Sequence, residues 1–169
     1  DLEALVEELR TAPPELAASS MIRIADLPEV DRDWKAELLE DAFPIAARAQ
    51  KPVKLKALPS TVVDTRTGYL AYSYTYLKLD RLSLQSTAIE KLLALNPAKA
   101  RELWNEMQHP QLSPQKCEVG LAYDLVDFYG VVTAFAQKAF SAEQVRGGEQ
   151  ALFLEQQINA VTSPAELPG

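Results

Sequence analysis

Apolar residues recur along most of this chain at the three-to-four-residue spacing of helices that bury one face. Leu2, Leu5, Val6 and Leu9 make a short amphipathic helix that ends before Pro13-Pro14. A second helix starts at Pro14, whose missing N–H costs nothing in a first turn, with Glu15 at the positive end of the helix dipole. Leu16, Ala17, Ser20, Met21 and Ile24 line its face until Asp26-Leu27-Pro28 stops it, which gives a helical hairpin. Asp31 or Asp33 can cap a third helix, with Trp34, Leu38, Ala42, Ile45 and Ala49 in one stripe and Leu39, Phe43 and Ala46 in a second. Pro44 interrupts that pattern. An interior proline loses a backbone hydrogen bond and costs about 3 kcal/mol, which predicts a kink near residues 40–43 or a break there, and the period that continues past it favours the kink.

The helical period then disappears. Residues 51–68 hold Pro52, Pro59, Thr61-Val62-Val63 and Thr67-Gly68, and read as one long extended connection. It carries Lys51, Lys54, Lys56 and Arg66 against Asp64 alone, and long connections of this kind are disproportionately functional. Residues 68–79 concentrate four of the six tyrosines. Tyr69, Tyr72 and Tyr76 share a helical face, whereas Tyr72, Tyr74 and Tyr76 share a strand face, so helix, strand and loop stay open; the lean is to helical turns, because a lone strand finds no partner in the chain.

Helical spacing returns after Asp80, a good cap for 81–95, where Leu82, Leu84, Ala88, Ile89, Leu92, Leu93 and Leu95 make a broad apolar face. Asn96 and Pro97 open the next helix, with Ala100, Leu103, Trp104 and Met107 on its face. The most apolar stretch is 118–140. Its stripes, Leu121, Leu125, Phe128, Val132, Phe135, Ala139 and Ala122, Tyr129, Ala136, Phe140, cover more than half of a helix circumference, which predicts a core helix around which the others gather. Asp124, Asp127 and Lys138 interrupt it, so it is not a membrane span. Ser141 with Gln144 spells a capping box for a last long helix carrying Val145, Leu152, Ile158 and Val161, and Gly147-Gly148 marks a bend in it or a close helix contact.

These elements predict an all-α fold of seven to eight helices, an irregular stack of helical hairpins around 118–140 with no credible sheet. Within it, Ala88-Ile89-Glu90-Lys91-Leu92-Leu93-Ala94-Leu95-Asn96-Pro97 followed by Ala98 to Met107 resembles the junction between two tetratricopeptide-type helical hairpins. The resemblance covers residues 88–107 and implies an α-solenoid-like stack of the broad class that holds other proteins on its faces. Residues 1–169 read as a single all-α domain. Thr162-Ser163-Pro164-Ala165-Glu166-Leu167 repeats a helix-start pattern with no helix after it, so the chain is expected to be a fragment of a longer protein that continues past Gly169.

Composition narrows the function. The chain is 47% hydrophobic and 24% charged with a net charge of -7, the profile of an acidic, soluble domain with a proper core. That charge disfavours nucleic acid, whose binding depends on neutralising phosphates. It is also unevenly spread: residues 51–100 carry eight basic and three acidic side chains, while residues 1–50 carry five and twelve. One cysteine excludes an internal disulfide and leaves the compartment open: cytoplasmic, or extracytoplasmic if a signal peptide was removed before Asp1.

No catalytic or metal motif is spelled anywhere, and no cofactor is expected. His109 sits in a proline-flanked loop and Cys117 lies beside Glu118 with no histidine next to it, so both read as structural. Asp124 and Asp127, three residues apart, read as a solvent edge or as partners of Arg81 or Arg101. The expected function is a protein- or peptide-binding scaffold module without catalytic activity, with Lys54, Lys56 and Arg66 as rim and Tyr72 or Tyr76 as anchor. The alternative is an enzyme whose site is assembled from scattered carboxylates and arginines, Asp124, Asp127 and Arg101.

On the scaffold reading, His109→Ala and Cys117→Ser leave partner affinity within about twofold, as substitutions away from a binding surface do. A titration showing a hundredfold loss from either change would contradict it.

Overall fold

The computed structural model of the protein describes residues 1–52, 76–107 and 124–161, and the backbone of 55–56 and 121–122. It is all-helical. Among the described residues the order is α1 (Leu2–Leu9), α2 (Pro14–Ile24), α3 (Arg32–Ala46), β1 (Leu55–Lys56), α4 (Arg81–Leu95), α5 (Pro97–Glu106), β2 (Leu121–Ala122), α6 (Val126–Lys138), α7 (Ala142–Arg146) and α8 (Glu149–Ala160). The two short strands pair antiparallel, Leu55 with Ala122 and Lys56 with Leu121.

Most helix boundaries follow from capping chemistry. Asp31 accepts from the N–H groups of Asp33 and Trp34 at 3.0 Å, Asp80 from that of Ser83 at 3.1 Å, and Asn96 from that of Lys99 at 3.1 Å. Asn96 also closes α4, its N–H bonded to Leu92 O, so α4 and α5 meet with one residue between them. Ser141 and Gln144 form the reciprocal capping box of α7. Pro44 does not break α3, which runs through it to Ala46. Lying in the last turn, it withholds one hydrogen bond where the helix is about to end anyway.

Three sequence expectations are corrected. First, the helix foreseen over 118–140 begins only at Val126. Leu121 and Ala122 pair with β1, and the Asp124 carboxylate accepts the Val126 N–H at 3.2 Å, so the acidic residue marks a helix start instead of interrupting a helix. Leu121 and Leu125 fit the helical spacing although the first is extended. Second, the surrounded helix is α4: it packs against α2, α3, α5 and α6, and Ser86, Ala88, Ile89 and Leu92 are fully buried in it. Third, the last long helix is two helices. Gly148 adopts φ 84°, a left-handed conformation that glycine takes without strain, and separates α7 from α8. The stripe assigned to that helix faces outward: Val145, Leu152 and Ile158 are all exposed, Ile158 at 71%.

Residues 126–138 are nevertheless well buried on one side. Phe128 and Phe135 of α6 pack on Trp104 of α5, with ring centroids 5.6 and 5.2 Å apart, and Phe153 of α8 closes on Phe135 at 5.8 Å. The C-terminus of α6 is sealed by side chains: Gln150 donates to Ala136 O at 2.5 Å and Arg101 donates to Ala139 O. Those carbonyls have no helical partner, and the guanidinium sits at the negative end of the helix dipole.

Elsewhere, Arg10 bonds Asp41 at 2.6 Å and ties α1 to α3, while Arg32 donates to Leu95 O at 2.8 Å and sets the start of α3 beside the end of α4. Arg81 N–H donates to Gln50 O at 2.8 Å, so the chain after α3 leaves and returns at the same point. Lys54, Arg66, Tyr69, Tyr72, Tyr74, His109, Cys117, the side chain of Lys56 and the helix-start pattern at 162–167 lie outside the described residues.

Phe128→Ala and Phe135→Ala should each lower stability by about 3 to 5 kcal/mol in urea unfolding, because each empties a ring-sized space. Ser86 gives the opposite expectation. Its hydroxyl is fully buried without a hydrogen-bond partner, so Ser86→Ala should raise stability, by about 1 kcal/mol at most. An unfolding midpoint lowered by Ser86→Ala would show that the hydroxyl is satisfied.

Candidate functional site

Two rows of side chains face each other across an open cleft. On α2 the row is Leu16, Ser19, Ser20 and Arg23, at i, i+3, i+4 and i+7; on α4 it is Leu84, Thr87 and Lys91, at i, i+3 and i+7. The segment Leu77 to Leu79 closes one side, and the cleft encloses about 390 Å³. That is within the size range of sites for small ligands and side chains.

The direction of the helices orders the lining. Because α3 starts beside the end of α4, and α2 leads into α3 by a short turn, α2 and α4 run parallel, and Asp26 near the end of α2 meets Lys91 of α4 at 2.7 Å. One end of the cleft is therefore apolar, with Leu16, Leu77, Leu79 and Leu84; the other is charged, with Arg23, Asp26 and Lys91. Leu79 and Leu84 are buried, whereas Leu16 and Leu77 stand 47% and 58% exposed at the rim. Leu16 was expected on the core face of its helix. Its outward position leaves a large apolar side chain in water beside the cleft, and Tyr76, 74% exposed, stands next to Leu77.

Lys78 holds this segment in place. Its ammonium lies 2.8 Å from Asp124 and 3.2 Å from Asp127, each of the three side chains being about one-third exposed. The residue takes φ 55°, a left-handed conformation uncommon for a side chain of this size. Partial burial works against the charge on Lys78, but the hydrogen bonds and charges of Asp124 and Asp127 outweigh it and raise the pKa above the ordinary lysine value. Burial likewise opposes ionisation of Asp124; the Lys78 hydrogen bond, the Val126 N–H and the lysine charge outweigh that and lower its pKa. Asp127 lies in the first turn of α6, where the helix dipole favours an anion.

These contacts decide what the sequence candidates can do. Asp124 and Asp127 come together on Lys78, not on Arg81 or Arg101. Arg101 sits at the opposite end of α6, bonded to Ala139 O and lying 5.1 Å from the Phe140 ring, about 18 Å along the helix from the two carboxylates. The three residues of the alternative site are thus split between two structural tasks. No group of three or more His, Cys, Asp or Glu side chains converges among the described residues. Of the predicted binding residues, Tyr76 is the one whose side chain is described, and it adjoins the cleft. The cleft itself went unnoticed in the sequence; its one signal was the repeated Ser19, Ser20, Arg23 spacing on the polar flank of an otherwise apolar helix.

The ion triad has a testable pH signature. A depressed Asp124 contributes stability that is present above its ordinary pKa of 3.8 and is lost as pH falls through the lower folded value. A raised Lys78 contributes stability that is complete below 10.5 and is lost as pH rises through the higher folded value. Lys78→Met should therefore cost about 1 kcal/mol at neutral pH, discounted for solvent screening, and the gap to the wild type should close at both extremes and at high salt. A gap independent of pH and salt would mean that Lys78 acts through its aliphatic stem.

No helix among the described residues is long and apolar enough to cross a membrane. Comparison with protein-family models, with curated proteins and with solved structures finds no match to this chain.

Proposed function

We propose that this chain is a helical scaffold that holds a segment of another protein in the cleft between α2 and α4. The observation that carries the reading is the exposure of Leu16 and Leu77 at the rim of a preformed cleft whose floor is leucine. Large apolar side chains next to a concave surface mark places where a partner's side chain can be buried, and each such burial is worth about 1.5 to 3 kcal/mol. Among the described residues, several charged groups that could have served chemistry are engaged in structure: Lys78 with Asp124 and Asp127, Lys91 with Asp26, Arg101 with the end of α6.

The sequence's own candidates for anchor and rim belong to the same reading. They are Tyr76, exposed and next in the chain to Leu77 of the rim, with Tyr72, Arg66, Lys56 and Lys54, which precede it in the sequence. Aromatic anchors with a charged periphery are the usual anatomy of such contacts. The likeness of residues 88–107 to a tetratricopeptide-type junction agrees with a stack of helical pairs of solenoid type, a class that offers grooves to partners, and this support is by analogy.

Phage-displayed random peptides selected on the folded protein should yield binders whose NMR shift changes cluster at Leu16 to Arg23 and at Leu77. Leu77→Asp should weaken them at least tenfold, roughly the loss of one buried apolar contact, with the unfolding midpoint unchanged. Binders that map elsewhere, or that ignore Leu77→Asp, would overturn the assignment.

A further inference from the structure

The charged groups at the cleft are not all committed to partners. The lining contains three cations, Arg23, Lys78 and Lys91, and one anion, Asp26. Lys78 is committed to Asp124 and Asp127, and Lys91 to Asp26. Arg23, exposed in the last turn of α2, has no ion-pair or hydrogen-bond partner among the described residues. Its guanidinium is left with its full set of donors in a fixed fork suited to a carboxylate. The hydroxyls of Ser19 and Ser20 line the same row between it and Leu16. Counted with the carboxylates they hold, Lys78 and Lys91 add no positive charge to the cleft, and Arg23 is the cation that folding leaves uncommitted there.

From this we infer that the cleft selects an acidic segment of a partner protein, one that carries a carboxylate side chain close to an apolar anchor. The inference rests on the binding reading above and adds the chemistry of the occupant. Leu16 and Arg23 are two helical turns apart, about 10 Å, which about three residues of extended chain span. The segment therefore places Leu or Phe at the apolar end, between Leu16 and Leu77, and Asp or Glu about three residues away on Arg23, where a bidentate pair can form. Ser19 and Ser20 donate to the backbone carbonyls that pass between them. A segment with lysine at that position is rejected, because it would bring like charge onto Arg23.

The test uses the full chain and two octapeptide libraries that differ at one position. Both fix Leu or Phe, leave two random residues, and then carry Glu in one library and Gln in the other. The wild type should prefer the Glu library by about fivefold to tenfold, the scale of one hydrogen-bonded charge pair near a surface, and the preference should shrink with added salt. Arg23→Gln, a change at an exposed position, should erase the preference, so that the two libraries bind alike. Equal binding of the two libraries by the wild type would refute the charge selection while leaving the cleft a binding site. Binding of neither library would remove the proposed function together with this inference. Phosphatidylserine vesicles form a third arm: capture by vesicles and not by the Glu peptides would overturn the protein segment in favour of a lipid headgroup.

Discussion

Between Leu82 and Ile89 the chain carries no charged side chain, and every residue but Thr87 is buried. Such a stretch has no face to offer to water, so other helices must cover it on several sides, and α2, α3, α5 and α6 do. Its small residues permit this. Ser83, Ser86 and Ala88 let neighbouring helices approach, and the Ser83 hydroxyl is satisfied by Asp80 at 2.6 Å, the same carboxylate that caps the helix. Placing α4 in the middle fixes the relative positions of α2 and α6, and with them the cleft on one flank and the aromatic cluster on another.

The two ends of α6 show how much of the polar chemistry goes into holding that arrangement. At its start two carboxylates converge on Lys78; at its end Arg101 and Gln150 take up open carbonyls. In each place a group that looks reactive in isolation completes a helix terminus. Arg23 differs because no terminus, carboxylate or carbonyl claims it among the described residues. A binding surface is made of such leftovers: side chains that folding has positioned without using.

Capping signals were the most readable part of the sequence, since Pro14, Asp31, Asp80, Asn96 and Ser141 act within a turn of themselves and need no tertiary partner. The all-helical class followed from the same local spacing. What could not be read was which helix would be surrounded, because a count of apolar residues ranks 118–140 above 81–95 and treats Ser83, Gln85 and Ser86 as surface. Tertiary packing buried those three and left Val126, Leu152 and Ile158 in water. The candidate site suffered from the same limit. Lys78 lies 46 residues from Asp124, Leu16 and Leu77 lie on elements far apart in the chain, and the polar row of α2 has meaning only once α4 stands opposite it.

The bond from Arg81 N–H to Gln50 O joins the two ends of the longest stretch of chain between consecutive helices of the described core. With those ends pinned, each doubling of the length of chain between them costs about 0.6 kcal/mol of closure entropy. Evolution can therefore change the number of residues between the two ends more cheaply than it can change Lys78, Leu79 or Asp80, which the frame itself uses.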